Sequence, residues 1–194
     1  MKNALFALLI CLTATAASAQ QVLSFGPVVG VNFSKLSDSS PADTEFNTGL
    51  AAGAQLTYSS INKWGLGISA LFSREGFDAA TGSTDLTYVR IPLRGYLFFG
   101  ENGDAFRPKL FFGPSLGFLA KAESELAGNK FDSKNAYNSF DLGLAIGAGF
   151  NARMSEGIWF NFDLGYTHGL MDLPKNANGE NRTIAALVGV MFGF

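Results

Sequence analysis

Charge is scarce in this 194-residue chain. Asp, Glu, Lys and Arg together make up 15% of it, against about 25% in an ordinary soluble domain. That is too little to solvate a surface of this size. The formal net charge of −2 gives no basic footprint for a nucleic-acid partner. Cysteine and histidine occur once each, as Cys11 and His168, and proline six times. Intrinsic disorder is excluded because 47% of the residues are hydrophobic, and disorder needs low hydrophobicity with high net charge. The 23 glycines show no three-residue period, which excludes a collagen-like helix. After residue 20 there is no apolar run long enough for a membrane-spanning helix, which needs about 20 residues.

What is present begins with a leader. Lys2 supplies a short positive region, Ala4 to Ala16 an apolar run, and Ala17-Ser18-Ala19 a small-residue cleavage pattern. The expectation is a cleaved secretory signal over residues 1–19, with a single domain over 20–194. Cys11 falls inside the leader. Ile10 before it is not small, so a lipidated cysteine is disfavoured. The mature chain is then expected to hold no disulfide, no thiolate nucleophile and no Cys-ligated metal.

Beyond the leader, apolar and polar residues alternate with period two. In the segment 22–36, Leu23, Phe25, Pro27, Val29, Val31 and Phe33 oppose Ser24, Gly26, Val28, Gly30, Asn32 and Ser34. Similar alternation marks segments around 49–58, 64–73, 84–99, 109–118, 140–151, 158–167 and 183–194. Connections alternate in length. Those at 59–62, 100–106 and 154–157 are short, while those at 36–45, 78–83, 122–138 and 172–181 are mostly longer and more polar. An even number of strands of about ten residues, with short turns at one end and longer loops at the other, is the pattern of bacterial outer-membrane barrels. The expected fold is all-β: an eight-stranded antiparallel up-and-down transmembrane β-barrel, placed in the outer membrane with its amino terminus periplasmic. Aromatic residues at segment ends, such as Tyr58, Trp64, Phe99, Phe140 and Tyr166, suit interfacial belts. The ending Phe192-Gly193-Phe194 resembles the signal by which such barrels are recognised for insertion, which makes the barrel-assembly machinery an expected partner.

One face of the segments is apolar and aromatic. The other collects glycine, small polar residues and nearly every strand charge. A soluble barrel would carry Lys and Glu on its polar face, whereas glycine solubilises nothing. The glycine-rich face is therefore assigned to the lumen, where an eight-stranded barrel has room only for side chains. Glycines such as Gly26, Gly30, Gly65, Gly67, Gly147 and Gly149 would make space for Tyr88, Arg90, Arg94, Tyr96, Phe98, Lys109, Phe111 and Trp159. Two arginines in a narrow, partly dry lumen are costly unless paired. The inward carboxylates nearest in depth are Asp163, Asp141 and Glu75. The expectation is a structural network of Arg90 and Arg94 with Asp163, with Glu75 and Asp141 as further members.

Signs of chemistry are few. His168 falls on the lipid-side register near the outer end of the seventh segment. A lipid A deacylase or acyltransferase would need a serine and a carboxylate around it, and the local sequence places no serine beside it. One histidine without cysteine argues against a transition-metal site. The Gly-x-Gly pairs at 65/67 and 147/149 open no helix, so they cradle no cofactor. Acidic and basic residues of the outer loops suit a solvated surface near lipopolysaccharide, without calcium-loop spacing. No catalytic, cofactor or metal residue is assigned. The expected role is non-enzymatic: envelope structure, surface interaction or secretion-system assembly. A lipid-modifying enzyme and a small solute channel are the alternatives.

The run Tyr88-Val89-Arg90-Ile91-Pro92-Leu93, followed by Tyr96, resembles the Tyr-x-x-Ile-Pro-Leu strand of the PorT-like outer-membrane β-barrel family of Bacteroidetes. Residues 107–114 are similar to its next strand, with Lys109 where Tyr is common, and 141–149 to the one after. The resemblance covers essentially the whole mature chain. It implies an outer-membrane barrel, with some members linked to type IX secretion, and implies no catalytic residues. Pro92, placed inward, lacks a ladder donor and is expected to mark a bulge or an interruption in pairing, which would help Arg90 and Arg94 point into the lumen.

Overall fold

The computed structural model describes residues 23–37, 44–60, 62–79, 82–101 and 103–194. The expected leader and its cleavage point lie outside them. The strands are β1 (Leu23–Leu36), β2 (Thr44–Ser59), β3 (Trp64–Ala79), β4 (Gly82–Phe98), β5 (Phe106–Leu126), β6 (Asn129–Asp132), β7 (Phe140–Ser155), β8 (Ile158–Asp172) and β9 (Glu180–Gly193). Every pairing is antiparallel. Each long strand pairs with the next, and β1 pairs with β9 to close the sheet, while short β6 pairs only with β5. The eight long strands form the up-and-down barrel that the alternation predicts.

Barrel geometry follows from the register. Starting at Gly49, the ladder passes through Asn32, Ala185, Gly165, Gly147, Phe111, Tyr96 and Gly65, and returns to β2 at Ser59. The return point is displaced by about ten residues, a stagger that for eight strands corresponds to a tilt of about 40°. With strands about 4.8 Å apart the backbone cylinder has a radius of about 8 Å. An eight-stranded bore of this size is just wide enough for side chains to fill.

Large apolar residues face outwards. Leu50 and Phe72 are 68% and 67% exposed, as suits side chains that meet lipid. Small residues inside accommodate large ones. A Cβ on Gly67 would stand 2.6 Å from the Tyr96 ring, one on Gly65 2.8 Å from Phe98, and one on Gly147 2.3 Å from Phe111. These approaches give the lumen glycines a packing role against large side chains of the neighbouring strand.

Several strands run further than the alternation suggests. The pairing Ala79↔Gly82 carries β3 and β4 through the region expected as a loop at 78–83. Likewise β5 continues to Leu126 and turns into β6, within the expected 122–138 loop. The reason is a β-bulge: Tyr88 pairs with Leu119 but Thr87 with Lys121, so Ala120 is extra. It sets Ala120 and Lys121 both outside and returns Ala122 to the interior, reversing the phase of the pattern. At Pro92 the ladder is interrupted on the β3 side between Ile68↔Leu93 and Leu71↔Arg90 without a change of register. At the outer end, Tyr137 and Leu173 pack with Leu36, Leu86, Tyr88, Leu119 and Ala122 in a buried cluster. The two loops that carry them are clasped by Asn138 N–H donating to the Leu173 carbonyl (2.8 Å) and Lys175 N–H to that of Ala136 (2.9 Å).

Candidate functional site

The inward face of β4 is the spine of the lumen, reading Leu86, Tyr88, Arg90, Pro92, Arg94, Tyr96 and Phe98 from the outer end to the periplasmic end. All seven are buried. Opposing strands supply glycines and short polar residues, and this asymmetry leaves room for long side chains to cross the bore. Near the periplasmic mouth the Arg107 guanidinium lies 4.3 Å from the Phe98 ring centroid and donates to Ser59 Oγ at 2.9 Å. Tyr96 stacks on Phe98 with centroids 5.7 Å apart and meets Phe111 edge-on at 6.1 Å. Lys109 lies 5.0 Å from the Tyr96 ring and Arg94 4.6 Å from that of Phe111. Cations and rings interleave, each cation meeting the electron-rich face of a ring.

Deeper in, the expected network divides into two clusters. Arg94 Nη1 donates to Asp163 Oδ2 at 3.0 Å, and Lys109 Nζ stands 2.7 Å from Asp163 Oδ1. Asn161 donates to Asp163 at 3.1 Å, and Lys109 donates to Asn161 and to Asn151, the latter at 3.0 Å. Towards the outer end, Arg90 donates to Glu75 through Nε (2.8 Å) and Nη2 (2.6 Å), and its Nη2 also lies 2.7 Å from Asp141 Oδ2. Ser73 and Asn181 donate to the same Glu75, Ser73 at 2.8 Å, and Asn32 donates to Ser73 at 2.7 Å.

All five sequence-assigned residues are therefore buried in the lumen, but Asp163 does not serve both arginines. Arg90 takes Glu75 and Asp141 instead. The physical reason lies in the stagger. Each step from strand to strand shifts the ladder by about one and a quarter residues along the axis. Three steps from Asp163, through Gly149 and Lys109 to Phe98, put Arg94 level with it. Arg90 is four residues further along β4, about 10 Å nearer the outer end. The alternation places Lys109 in the lumen only as bulk. Its inward register was legible, but its carboxylate partner depends on that same stagger. The outer cluster has one cation and two carboxylates, the inner one two cations and one carboxylate, so their charges balance as a pair.

Between the clusters lies a cavity of about 50 Å³ lined in part by Asn32, Ser73, Ser115, Thr167 and Thr183. At about 10–15 Å³ per water it has room for a small water cluster. His168, 41% exposed at its side chain, shares a hydrogen bond with the Tyr166 hydroxyl at 3.1 Å and stands 3.5 Å from Glu180 Oε2. Among the described residues no serine hydroxyl is within hydrogen-bond distance of it. Phe192 and Phe194 are 48% and 49% exposed at the periplasmic end, where Phe194 N–H donates to the Leu23 carbonyl at 2.9 Å.

Comparison with protein-family models matches residues 18–174 to an outer membrane protein beta-barrel domain. No curated protein sequence matches the chain. Among solved structures, Neisserial surface protein A (NspA) superposes with a TM-score of 0.59 at 15% identity, covering 89% of this chain and 97% of that one. The N-terminal β-barrel domain of Pseudomonas aeruginosa OprF gives 0.54 at 15% identity, covering 91% and 100%. The outer membrane protein OprG of the same species gives 0.51 at 18%, covering 91% and 98%. At these identities the likeness is one of fold.

Proposed function

This chain belongs to the outer membrane protein β-barrel domain family, and on that premise we propose that it is a non-enzymatic barrel, plugged by its own side chains, that works at its extracellular rim. The observation that carries this reading is the filling of the bore. Arg94, Lys109 and Asp163 form one buried ion cluster and Arg90, Glu75 and Asp141 another, with only a small cavity between them. Breaking either cluster would strand a buried charge, so the lumen resists opening. Planar-bilayer recording tests this: the protein should show no reproducible open-channel conductance, and large regular steps would overturn the plug.

The loops and outer rim remain as the working surface, in envelope structure, surface interaction or secretion-system assembly. The Tyr88–Leu93 motif supports placement among PorT-like members. On that placement the protein should co-purify with secretion components, and its deletion should deplete surface cargo. Unchanged cargo would refute it. A lipid-modifying enzyme is disfavoured by the surroundings of His168, whose polar partners are Tyr166 and Glu180. The exposed rings of Phe192 and Phe194 at the end of β9 support recognition by the barrel-assembly machinery.

A further inference from the structure

Above Phe118 the closed wall of the barrel ends in an open edge. There β5 leaves β7 and takes β6 as its neighbour, through the pairs Leu126↔Asn129, Glu125↔Lys130, Ser124↔Phe131 and Glu123↔Asp132. Among the described residues the far side of β6 pairs with no strand, and Asn129 to Asp132 are all exposed. The turn between the two strands has positive φ at both Ala127 (50°) and Gly128 (82°), the two-residue hairpin geometry that closes on a hydrogen-bonded pair, here Leu126 and Asn129. Hydrogen-bonded and non-hydrogen-bonded pairs then alternate along the ladder. Ser133 N–H, donating to the Ala122 carbonyl at 3.0 Å, keeps that phase. Lys130 and Asp132 fall in the non-hydrogen-bonded pairs, so the backbone N–H and C=O of both point to the free edge.

Charge at this edge is unevenly matched. Asp85, Glu123 and Asp132 lie in one row across β4, β5 and β6, and like charges directly opposed destabilise a sheet. Arg74 stands 2.6 Å from Asp85, and Lys121 2.8 Å from Glu123. Asp132 accepts from the Lys134 backbone N–H at 2.8 Å, and among the described residues no cation is paired with it. Lys130, on the same face, is 3.5 Å from Glu125 and 66% exposed at its side chain. An edge lysine ordinarily repels an arriving strand. With Asp132 two residues on, this edge instead accepts a strand that opposes Lys130 with an acid and Asp132 with a base. The run Lys130-Phe131-Asp132, read backwards, is such a strand.

We propose that β6 is a homophilic edge, which pairs antiparallel about Phe131 with β6 of a second copy of this chain held in a facing membrane. In that register Lys130 meets the partner's Asp132 in a hydrogen-bonded pair, which exchanges both backbone N–H···O bonds. The partner's Lys130 meets Asp132 in the same way and supplies the cation that the acidic row lacks. The two Phe131 rings, on the opposite face, meet in a non-hydrogen-bonded pair, where side chains are closest. Facing membranes follow from symmetry. Copies in one membrane are related by an axis along the membrane normal, which leaves the upright component of every strand unchanged and so cannot set β6 antiparallel to itself. An axis in the membrane plane can, and it relates copies that face each other. One short strand on each side makes a small, weak contact, which gains strength when many copies on two apposed surfaces engage together.

The proposal rests on the outer-membrane reading with an extracellular rim, and its test keeps the two apart. Folded protein, its barrel verified by heat-modifiable migration, is reconstituted into two populations of phosphatidylcholine vesicles carrying donor or acceptor dye. External proteolysis of the β5–β6 hairpin checks that every variant displays it equally. Energy transfer between the populations reports docking of one membrane on another. Wild-type vesicles should dock with each other and not with protein-free vesicles. Lys130→Glu alone and Asp132→Lys alone each set like charges opposite one another in both symmetry-related pairs, and each should weaken docking by about tenfold or more. Vesicles bearing Lys130→Glu, mixed with vesicles bearing Asp132→Lys, regain opposite charges in both pairs and should dock with each other as the wild type does. A hairpin that had merely lost its structure could not be rescued in this way. Wild-type vesicles that fail to dock would overturn the proposal. So would single variants that dock like wild type, or a mixture as weak as either variant alone. Loss of heat-modifiable migration in the wild type would instead refute the barrel reading itself.

Discussion

Replacing Asp163 by asparagine removes the carboxylate that serves both Arg94 and Lys109 while keeping the side-chain volume. In the folded protein the two cations stand 3.0 and 2.7 Å from its oxygens, and the three side chains are 7%, 2% and 1% exposed. Neither cation can turn to the other carboxylates, because Glu75 and Asp141 are already shared by Arg90, about 10 Å nearer the outer end. Removing one partner of a buried ion pair costs about 3–5 kcal/mol, since the charge left behind has lost its water without compensation. Here two charges are left, so the upper part of that range applies, a shift of roughly three powers of ten in the unfolding equilibrium. Urea unfolding in lipid vesicles, followed by heat-modifiable migration and by Trp159 fluorescence, measures it. A second variant sharpens the test. Arg94→Met, Lys109→Met and Asp163→Leu together replace the cluster by apolar side chains, and such replacements are often neutral or stabilising by about 1–4 kcal/mol. The triple variant should therefore recover most of the stability that the single one loses. An asparagine variant within about 0.5 kcal/mol of wild type, the range of an inconsequential surface change, would refute the reasoning. A triple variant as unstable as the single one would refute it equally.

Further outcomes follow from the same geometry. Gly67→Ala places a Cβ 2.6 Å from the Tyr96 ring and should cost about 1–3 kcal/mol as overpacking; adding Tyr96→Leu should restore part of it, and strict additivity in urea unfolding would count against lumen packing. Gly95→Ala, whose Cβ meets only the Phe112 carbonyl oxygen at 3.6 Å, should stay within about 0.5 kcal/mol of wild type in the same assay. Arg90→Ala leaves Glu75 and Asp141 without their cation and should destabilise by about 3–5 kcal/mol, with brief conductance events in planar bilayers that the wild type lacks. His168→Ala should leave the lipid A mass spectrum of the cell unchanged; a new acylation state would reinstate the enzyme reading.

Much of the fold was legible because its determinants are local. Successive residues of a strand point to opposite faces, and lipid and lumen demand such different chemistry that each residue shows which face it occupies. Arg90, Arg94, Glu75, Asp141 and Asp163 could be assigned to the interior on that ground. The pattern failed where its own premise failed. At Ala120 a bulge reverses the phase, and beyond it both faces of β4 and β5 are partly polar, so no contrast remains to mark a strand.

The sequence by itself determined the number of staves, the direction side chains face wherever the alternation is unbroken and the presence of charge in the lumen, since each depends only on neighbours along the chain. Tertiary structure decided which charges meet. The stagger of the closed sheet separated Arg90 from Asp163 and gave Lys109 to it. The seam between β1 and β9 set Lys35 beside Arg182. Both are properties of closure, because a ladder that returns to its starting strand about ten residues displaced fixes depth around the whole circumference, and no local stretch of chain carries that displacement.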